Sequence, residues 1–543
     1  MISEDLKALL EGEVTIEEKE IDFHSKDTSL FRVRPKVVVF PKNSSDISKL
    51  VEYASSHSGV SLTARAGGTD MSGGPLGESV VMGFTKHINN FSVDSQRLES
   101  VVEPGVYYHD FENETDKHDI ELPTYPASKS ICALGGMIMN NSGGEKTLRY
   151  GQTRKYVKSM KMILSDGNEY EIKKLSSKEL ETKKKQKNFE GQAYTKLYEL
   201  ISKNYDLIQS QRPQVSKNSA GYYLWDVYNK ETGEFDLTQL FSGSQGTLGI
   251  LTSAKLSLVK KKPYERLIVL FFKDWKYLPG VVNKLLPIEP EGLETFDDAT
   301  LKLGLRFMPE VAKRVGESFV RFALRFIPEV FIGLRMFGLP KLVVLVQLSQ
   351  DTEVGIQEKT QEVLGALRES KVWVRVATSE KDAEKYWVMR RESFKLLREH
   401  STGKTAASLI EDFCVKPGYI PEFLPKAIKL LAKNGIKANI TGHAGSGNLH
   451  IIPLIDLKKE GMIEKLPQIA DEFYNLVSEY KGSITAEHND GILRTPYLGK
   501  MFSQEMLELF REVKEIFDPK NIFNPGKKVG GTIDYMKAHI SKE

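Results

Sequence analysis

One stretch of the chain reads Arg65-Ala66-Gly67-Gly68-Thr69-Asp70-Met71-Ser72-Gly73-Gly74, and it directly follows a strand-like run at residues 60–64. Adjacent glycines after a strand let the backbone take positive φ and turn successive N–H groups into one concavity. Such a concavity binds phosphate without a lysine, although an ordinary glycine-rich turn is an alternative. The stretch lacks the G-x-G-x-x-G spacing of a dinucleotide-binding Rossmann turn, which argues against a nicotinamide cofactor.

The segments around this loop predict alternating strands and helices. Val37–Phe40 is a β-branched run, and the apolar residues from Ile47 to Ala54 recur at helical spacing, with Ser45 or Asp46 placed to cap that helix. Strand, helix, strand and glycine loop in this order indicate an α/β unit. Further strands are predicted at residues 79–83, 160–164 and 256–259. The lysine-rich residues 173–187 are expected to form a solvated loop.

The pattern of apolar and charged residues changes after residue 260. Buried strands are predicted at residues 267–272 and 342–348, and helices at Ile420–Lys433 and residues 505–517. Between the two strands lies the segment 301–341, in which bulky apolar residues are mixed with eight Lys or Arg and three acids. Three prolines divide this segment into short pieces.

Length and composition limit the class of protein. A chain of 543 residues exceeds what one hydrophobic core usually serves, so at least two packed units are expected. Lys and Arg (76) nearly balance Asp and Glu (73), so no nucleic-acid partner is expected. Cys132 and Cys414 are too few for a disulfide framework or an iron–sulfur cluster. An N-terminus without a signal-peptide core, and no apolar run of ~18–20 residues, predict a cytoplasmic protein.

Histidines and a glutamate gather in two glycine-containing turns. The first reads Gly442-His443-Ala444-Gly445-Ser446-Gly447-Asn448-Leu449-His450, and the second reads Ala486-Glu487-His488-Asn489-Asp490-Gly491. A strand–turn–strand would bring His443 and His450 to one side of a sheet edge. Two imidazoles and a carboxylate are the ligands of an open catalytic metal site, and a second histidine could act as a base with a pKa near neutrality. A pair of hydrogen-bonded structural histidines is the alternative.

Three glycine-rich motifs in order carry a family resemblance. After the first loop come Pro126-Ala127-Ser128 with Leu134-Gly135-Gly136-Met137 and Asn140-Asn141-Ser142-Gly143-Gly144, and then Gly243-Ser244-Gln245-Gly246-Thr247-Leu248-Gly249-Ile250. Together they resemble the FAD-binding domain of the vanillyl-alcohol oxidase superfamily, the PCMH-type domain. The resemblance implies FAD held by these residues: Arg65, Ala66, Gly67, Gly68, Thr69, Asp70, Pro126, Ala127, Gly135, Gly136, Asn140, Ser142, Gly246 and Ile250.

The downstream motifs narrow the resemblance to the D-lactate, glycolate and D-2-hydroxyglutarate dehydrogenase branch. The two histidine turns and the C-terminal stretch around Asn524 resemble that branch. It implies His443, His450 and Glu487 as ligands of zinc or manganese, His488 as the base, and Asn524 returning to the flavin. A helical W-x-x-R segment implies Arg390 as the clamp of the substrate carboxylate. The sequence departs from the family at Gln245, Ser446 and Asn489, where Glu, Asp and Gly are usual, and it has no lysine just before Asp412, which puts a dicarboxylate substrate in doubt.

The expected fold is α+β, with a two-subdomain PCMH-type FAD-binding domain and an α/β substrate (cap) domain containing an antiparallel sheet. The expected divisions are an N-terminal segment (1–32), the FAD domain (33–260), the cap domain (261–480) and a C-terminal segment (481–543) that packs back on the FAD domain.

The expected activity is oxidation of a small D-2-hydroxy acid. The electrons would leave to a quinone, an electron-transfer protein or a separate iron–sulfur subunit, and a homodimer is left open. Two rival functions are weighed. One is a flavin transferase resembling ether-lipid synthase, which carries consecutive histidines where this chain has Glu487-His488. The other is a flavin-bearing electron-transfer subunit without substrate turnover.

The segment 301–341 suggests one more property. Its phenylalanines are interleaved with arginines, and short basic amphipathic helices can lie on a membrane surface. The hypothesis is peripheral contact with the inner face of the membrane. The alternative is a helical edge of the cap domain, in which the phenylalanines are core and the arginines are solvated.

Overall fold

The computed structural model describes residues 2–401 and 403–542. Its first sheet contains the strand that leads into the glycine loop. The strand order is β1-β2-β4-β3, with β1 antiparallel to β2 and the other pairs parallel. The elements are β1 (Glu13–Thr15), β2 (Val37–Phe40), β3 (Leu62–Arg65), β4 (Val80–Gly83), α1 (Ile2–Leu9), α2 (Glu18–His24) and α3 (Ser44–Ser56). Because β3 runs parallel to its neighbour and ends at Arg65, the loop leaves from the carboxyl edge of the sheet.

Helix α3 begins at a different cap from the one predicted. The Asn43 side chain accepts a hydrogen bond from the Asp46 backbone amide at 3.0 Å, so neither Ser45 nor Asp46 is the cap. The Asp46 carboxylate instead accepts from the backbone amides of Glu11, Gly12 and Lys42, each at 2.9 Å. A carboxylate inside the first helical turn thus holds the N-terminal segment against the sheet.

The second sheet is antiparallel, with strand order β10-β9-β8-β11-β6-β5. Its strands are β5 (Phe91–Asp94), β6 (Glu99–Val102), β8 (Val157–Ile163), β9 (Glu169–Leu175), β10 (Phe235–Asp236) and β11 (Ile250–Ser257), and β7 (Ile120–Glu121) pairs separately with β12 (Val259–Lys260). The accompanying helices are α4 (Tyr108–Asp116), α5 (Leu134–Asn140), α6 (Thr147–Tyr150), α7 (Ser177–Lys184), α8 (Phe189–Lys203), α9 (Tyr205–Ser210) and α10 (Leu237–Phe241).

The prediction of a loop at residues 173–187 was wrong, because β9 continues to Leu175 and α7 begins directly afterwards. Ser176 and Glu179 cap α7 reciprocally, which is the Ser-x-x-Glu capping box. Leu180 anchors the helix in the core, while the half-buried Lys183 pairs with Glu190 and Lys184 lies over the Tyr198 ring.

The third sheet is antiparallel, with strand order β16-β13-β15-β14-β19-β20-β17, and β18 also pairs with β20. Its strands are β13 (Tyr264–Phe272), β14 (Gly292–Asp297), β15 (Leu342–Gln350), β16 (Trp373–Val376), β17 (Thr405–Ala406), β18 (Phe413–Cys414), β19 (Lys437–His443) and β20 (Asn448–Ile455). The accompanying helices are α11 (Leu278–Leu285), α12 (Asp298–Arg306), α13 (Met308–Arg314), α14 (Phe319–Leu324), α15 (Ile327–Met336), α16 (Glu353–Leu367), α17 (Glu380–Arg391), α18 (Ser393–His400), α19 (Ile420–Lys433) and α20 (Met462–Glu479).

Both faces of the third sheet are covered. One face carries the larger apolar core, to which α11, α16, α19 and α20 contribute, and the other packs on α15 and α17. Pro309 and Pro328 stand in the first turns of α13 and α15, where a missing N–H costs nothing, so the prolines divide this segment into short helices. None of the helices in the described residues combines the length and apolar character needed to cross a bilayer.

The C-terminal segment returns to the first sheet. It contains α21 (Gly491–Arg494), α22 (Gln504–Phe517) and α23 (Ile533–Ala538). Phe523 forms a parallel bridge with Leu62, and the Asn524 backbone amide donates to the Leu62 carbonyl at 2.9 Å. The buried Lys514 ammonium donates to the carbonyls of Thr247 and Phe523, both at 2.7 Å. The C-terminal segment is therefore joined to β3, the strand from which the glycine loop leaves.

Candidate active site

The glycine loop after β3 is held open by one carboxylate. Asp70 accepts hydrogen bonds from the backbone amides of Ser72 (3.0 Å) and Gly74 (2.7 Å) and from the Asn140 side chain (2.8 Å). Gly68 has a φ of 67°, a conformation natural to glycine. Within the described part of the chain, the backbone amides of Gly67, Gly68 and Thr69 donate no hydrogen bond. The loop therefore presents unpaired N–H groups, the arrangement that binds a phosphate.

A cavity of about 790 Å³ extends from this loop to the histidine turns. Glycines form much of its wall. A Cβ at Gly136 would lie 3.6 Å from the Ala66 side chain, and one at Gly246 would lie 3.7 Å from the Ala64 side chain, with no other atom within 4 Å of either. These two positions are therefore open toward the cavity rather than packed against protein. A cavity of this volume, with glycines in its wall that carry no side chains, can hold a flat, extended cofactor with a pyrophosphate.

Most of the residues predicted to bind FAD line this cavity. They are Ala66, Gly67, Gly68, Thr69, Asp70, Pro126, Ala127, Gly135, Gly136, Asn140, Ser142 and Gly246. Three others lie outside the lining. Arg65 is buried, with its guanidinium against Gly68 and the Phe23 ring; Ile250 packs in the core of the first sheet. Asn524 donates to the carbonyls of Gly74 and Gln245, so it supports the loops from behind.

The two predicted histidine ligands come from neighbouring strands. Thr441 of β19 is the partner of His450 on β20, and His443 lies two residues beyond Thr441. Side chains two residues apart share a face of a sheet, so both imidazoles point to the same side. Their Nε2 atoms approach Glu487 Oε1 at 3.1 Å (His443) and 3.5 Å (His450).

The outer nitrogen of each imidazole is occupied. His450 Nδ1 lies 3.2 Å from the Glu411 backbone carbonyl, and His443 Nδ1 lies 2.5 Å from Glu294 Oε1. A carbonyl only accepts, so Nδ1 of His450 carries the proton, and burial lowers the pKa of His450, which keeps it neutral. Its Nε2 lone pair then faces a carboxylate oxygen, and a cation between them would satisfy both. These three ligand groups lie within 4.8 Å of one another.

Glu487 is fixed by Lys217, which the sequence reasoning missed, and by Asp412. The buried Lys217 ammonium lies 2.8 Å from Glu487 Oε2. Asp412 Oδ2 accepts from the backbone amides of residues 486, 487 and 488 at 2.8–3.0 Å. Burial alone would raise the pKa of Glu487, but the Lys217 ammonium and the His443 imidazole hold that pKa well below its usual range. Glu487 is therefore ionised, as a ligand must be.

His488 lies beside this cluster and lines the cavity. Its Nδ1 is 3.0 Å from Glu411 Oε1, and its ring stacks on that of His450 at 5.2 Å between centroids. Burial alone would lower the pKa of His488, but Asp412 and Glu411 raise it to about 9. The expectation of a pKa near neutrality was wrong for the protein alone, because two carboxylates face this one imidazole.

Arg390 of α17 also lines the cavity. Its Nη2 lies 3.2 Å from Glu294 Oε2, and its buried Nε has no hydrogen-bond partner in the described residues. The neighbouring Arg391 is instead held by Glu145 in a bidentate pair at 2.7 and 2.6 Å. Arg390 thus places its guanidinium on the cavity wall, where it can bind an incoming anion. Glu294, a second residue missed from the sequence, joins this arginine to His443, and its only sequence signal is a glutamate inside a buried strand.

The departures from the family pattern are accommodated locally. Asn489 adopts a φ of 68° and donates to the Gly243 carbonyl at 2.9 Å, so the turn keeps its left-handed shape. Gln245 Oε1 accepts from the Gly491 amide at 2.9 Å. Ser446 lacks a carboxylate, but Glu294 orients His443.

Comparison with known proteins agrees with this architecture. Residues 35–173 match the family model "FAD binding domain", and residues 261–528 match "FAD linked oxidases, C-terminal domain". Two of the solved structures that share the fold match nearly the whole chain. They are 4-ethylphenol oxidase from Gulosibacter chungangensis (TM-score 0.67, 14% identity, 95% of this chain and 94% of that chain) and p-cresol methylhydroxylase (TM-score 0.67, 14% identity, 97% and 96%).

Curated relatives align along most of the chain. D-lactate dehydrogenase of Archaeoglobus fulgidus is 27% identical (91% of this chain, 91% of the relative), and glycolate oxidase subunit GlcD of Bacillus subtilis is 28% identical (92% and 90%). D-2-hydroxyglutarate dehydrogenase of Escherichia coli is 26% identical over 93% of this chain, which spans about half (49%) of that relative's length. With a PCMH-type fold, both domain matches and these relatives, the chain belongs to the FAD-linked oxidase/dehydrogenase family.

Proposed function

We propose that this protein is an FAD-dependent dehydrogenase of small D-2-hydroxy acids. One observation carries the proposal: a single cavity has unpaired backbone amides at one end and a cluster of imidazoles, a carboxylate and an arginine at the other. The relatives are named for D-lactate, D-2-hydroxyglutarate and glycolate, which all carry a hydroxyl next to a carboxylate. That pair of groups is what the second end of the cavity suits.

A bound FAD and a bound metal ion would each supply one part of the oxidation. FAD would lie with its pyrophosphate on the glycine loop and would supply the acceptor for the hydride that leaves C2. His443, His450 and Glu487 would hold zinc or manganese, which would polarise the hydroxyl oxygen and disfavour a proton on the adjacent His488.

The chain's own residues bind and deprotonate the substrate. The Arg390 guanidinium, which lines the cavity, binds the substrate carboxylate and aligns C2 with the cavity. His488, in its neutral form, takes the hydroxyl proton at Nε2, because Nδ1 is engaged by Glu411. Loss of that proton and of the C2 hydride leaves the 2-oxo acid. An external acceptor of the quinone, electron-transfer protein or iron–sulfur subunit class would take up the electrons.

Basic side chains of α18 also line the cavity. Lys395 and Arg398 of α18 line the cavity, so a distal carboxylate could meet positive charge there even though no lysine precedes Asp412. A turnover panel with an artificial electron acceptor separates the candidates. D-Lactate, glycolate and D-2-hydroxyglutarate are compared with L-lactate. Turnover of one or more of the first three, with L-lactate inactive, is expected. Turnover of none would contradict the proposal and favour a transferase or an electron-relay protein.

A further inference from the structure

Helix α15 turns an apolar stripe away from the protein. Ile327, Val330, Phe331 and Leu334 follow the i, i+3, i+4, i+7 spacing of one helix face, and they are 47%, 60%, 61% and 66% exposed. A stripe with this spacing normally faces the core of a globular protein. Phe319 and Leu324 of α14 are also exposed, and so is Phe337 (94%), which follows α15. The surface formed by α14, α15 and Phe337 is called the α14–α15 face below.

Buried contacts fix this orientation. Met336 packs in the core on one side of the third sheet, and Phe322 and Phe326 pack in a neighbouring apolar cluster. Glu329, on the inner side of α15, lies 3.0 Å from the Lys385 ammonium and 3.1 Å from the Arg375 guanidinium. Turning α15 to bury its stripe would break these ion pairs, so the apolar face stays outward.

The charge on the α14–α15 face is positive. Arg321 and Arg335 are exposed and make no ion pair within residues 2–401 and 403–542. The one acid between residues 318 and 341 is Glu329, and it faces inward. A face with bulky apolar groups and unneutralised arginines is suited to a surface that is apolar below and negative above.

We propose that the α14–α15 face binds an anionic lipid bilayer, with its apolar stripe in the interfacial region and its arginines among the headgroups. A second copy of this chain fits less well. A twofold interface pairs a patch with itself, so it would bring exposed arginines together with no exposed acid to oppose them. The proposal rests on this surface alone and does not depend on the chemistry of the cavity.

Vesicle flotation at low salt tests the proposal with the full-length protein. Vesicles of phosphatidylcholine alone are compared with vesicles that also contain phosphatidylglycerol. The protein is expected to float with the anionic vesicles and to be released by high salt. R321Q and R335Q should each weaken vesicle binding roughly fivefold. A double variant, F331D with L334D, should abolish it.

A matched control shows whether the loss of vesicle binding is specific to the α14–α15 face or follows from adding a negative charge anywhere on the surface. Val354 on α16 is 64% exposed and lies outside the patch, so V354D should float like the parent. Circular dichroism melting curves verify that every variant is folded. The proposal is overturned if the parent stays at the bottom with anionic vesicles, or if F331D/L334D floats unchanged. It is equally overturned if sedimentation shows that the parent is a dimer, that this dimer does not float, and that F331D/L334D is a monomer. In that case a second copy of the chain would cover the α14–α15 face.

Discussion

At the scale of single residues, the candidate site depends on the protonation of groups that face one another. Glu487 meets two imidazoles through one oxygen and the Lys217 ammonium through the other. The Lys217 ammonium does not occupy the space between the two imidazoles, because it is bound to Oε2 of Glu487 and the imidazoles face Oε1. This arrangement leaves one carboxylate oxygen and two nitrogens directed at a common point.

The first prediction concerns the metal. H443A removes one of the three ligands, so metal content should fall from about one ion per chain to a small fraction of that value. The measurement is elemental analysis of the purified protein after dialysis. H57A is the control, because His57 is exposed at the C-terminus of α3 and belongs to none of the candidate metal groups in the described residues. Metal retained in H443A, or absent from the parent, would favour a hydrogen-bonded histidine pair.

The second prediction separates the two adjacent arginines of α17. R390M removes the guanidinium that lines the cavity, so kcat/KM for the hydroxy acid should fall about a hundredfold or more. R391M removes a guanidinium already paired with Glu145, and its effect should stay within a few fold. Steady-state kinetics on both variants decide the matter. A larger loss of kcat/KM in R391M than in R390M would indicate that Arg391 binds the substrate carboxylate.

The third prediction is a pH dependence of stability. Asp27 has a buried oxygen without a hydrogen bond in the described residues, and burial and the Asp70 carboxylate raise the pKa of Asp27 to about 7. Between about pH 4 and 7 the native state keeps a proton that the unfolded chain has lost, so Asp27 destabilises the fold as the pH rises. D27N should therefore be more stable than the parent above pH 7 and equally stable below about pH 4. Urea unfolding across this range measures it, with exposed Asp110→Asn as control; equal differences at every pH would contradict the assignment.

At the scale of elements, the loops after β3 and around α5 shape the cavity by leaving space. The fourth prediction fills that space. Gly136 lies in α5 and faces the cavity, so G136L should fold but purify without yellow flavin. Gly365 is a helical glycine with open space around its Cβ position, so G365L should fold and keep the flavin. A yellow G136L protein would show that the flavin lies elsewhere.

Sequence patterns predicted the elements where one signal dominates. The β-branched run Val37–Phe40 and the helical spacing of Ile420–Lys433 gave the observed bounds. Residues 173–187 were misassigned because lysine content was weighed above the Ser176–Glu179 capping signal. The histidine turns were recognisable from local sequence, whereas Lys217 and Glu294 come from distant segments and reach the site only through tertiary packing.

At the scale of the whole molecule, the chain closes on itself at the cavity. The first two sheets supply the glycine walls, the third sheet supplies His443 and His450, and the C-terminal segment supplies Glu487 and then returns to Leu62 through Phe523. Neither the glycine walls nor the histidine strands alone would complete a site. The family assignment and the proposed chemistry therefore concern the assembled molecule.

The most direct test of this account is anaerobic addition of D-lactate, glycolate or D-2-hydroxyglutarate to the purified yellow protein. At least one of these acids should bleach the visible flavin absorbance and yield the 2-oxo acid in equal amount, while L-lactate should leave the flavin oxidised. A flavin that dithionite reduces but that stays oxidised with every one of these acids would contradict the central claim.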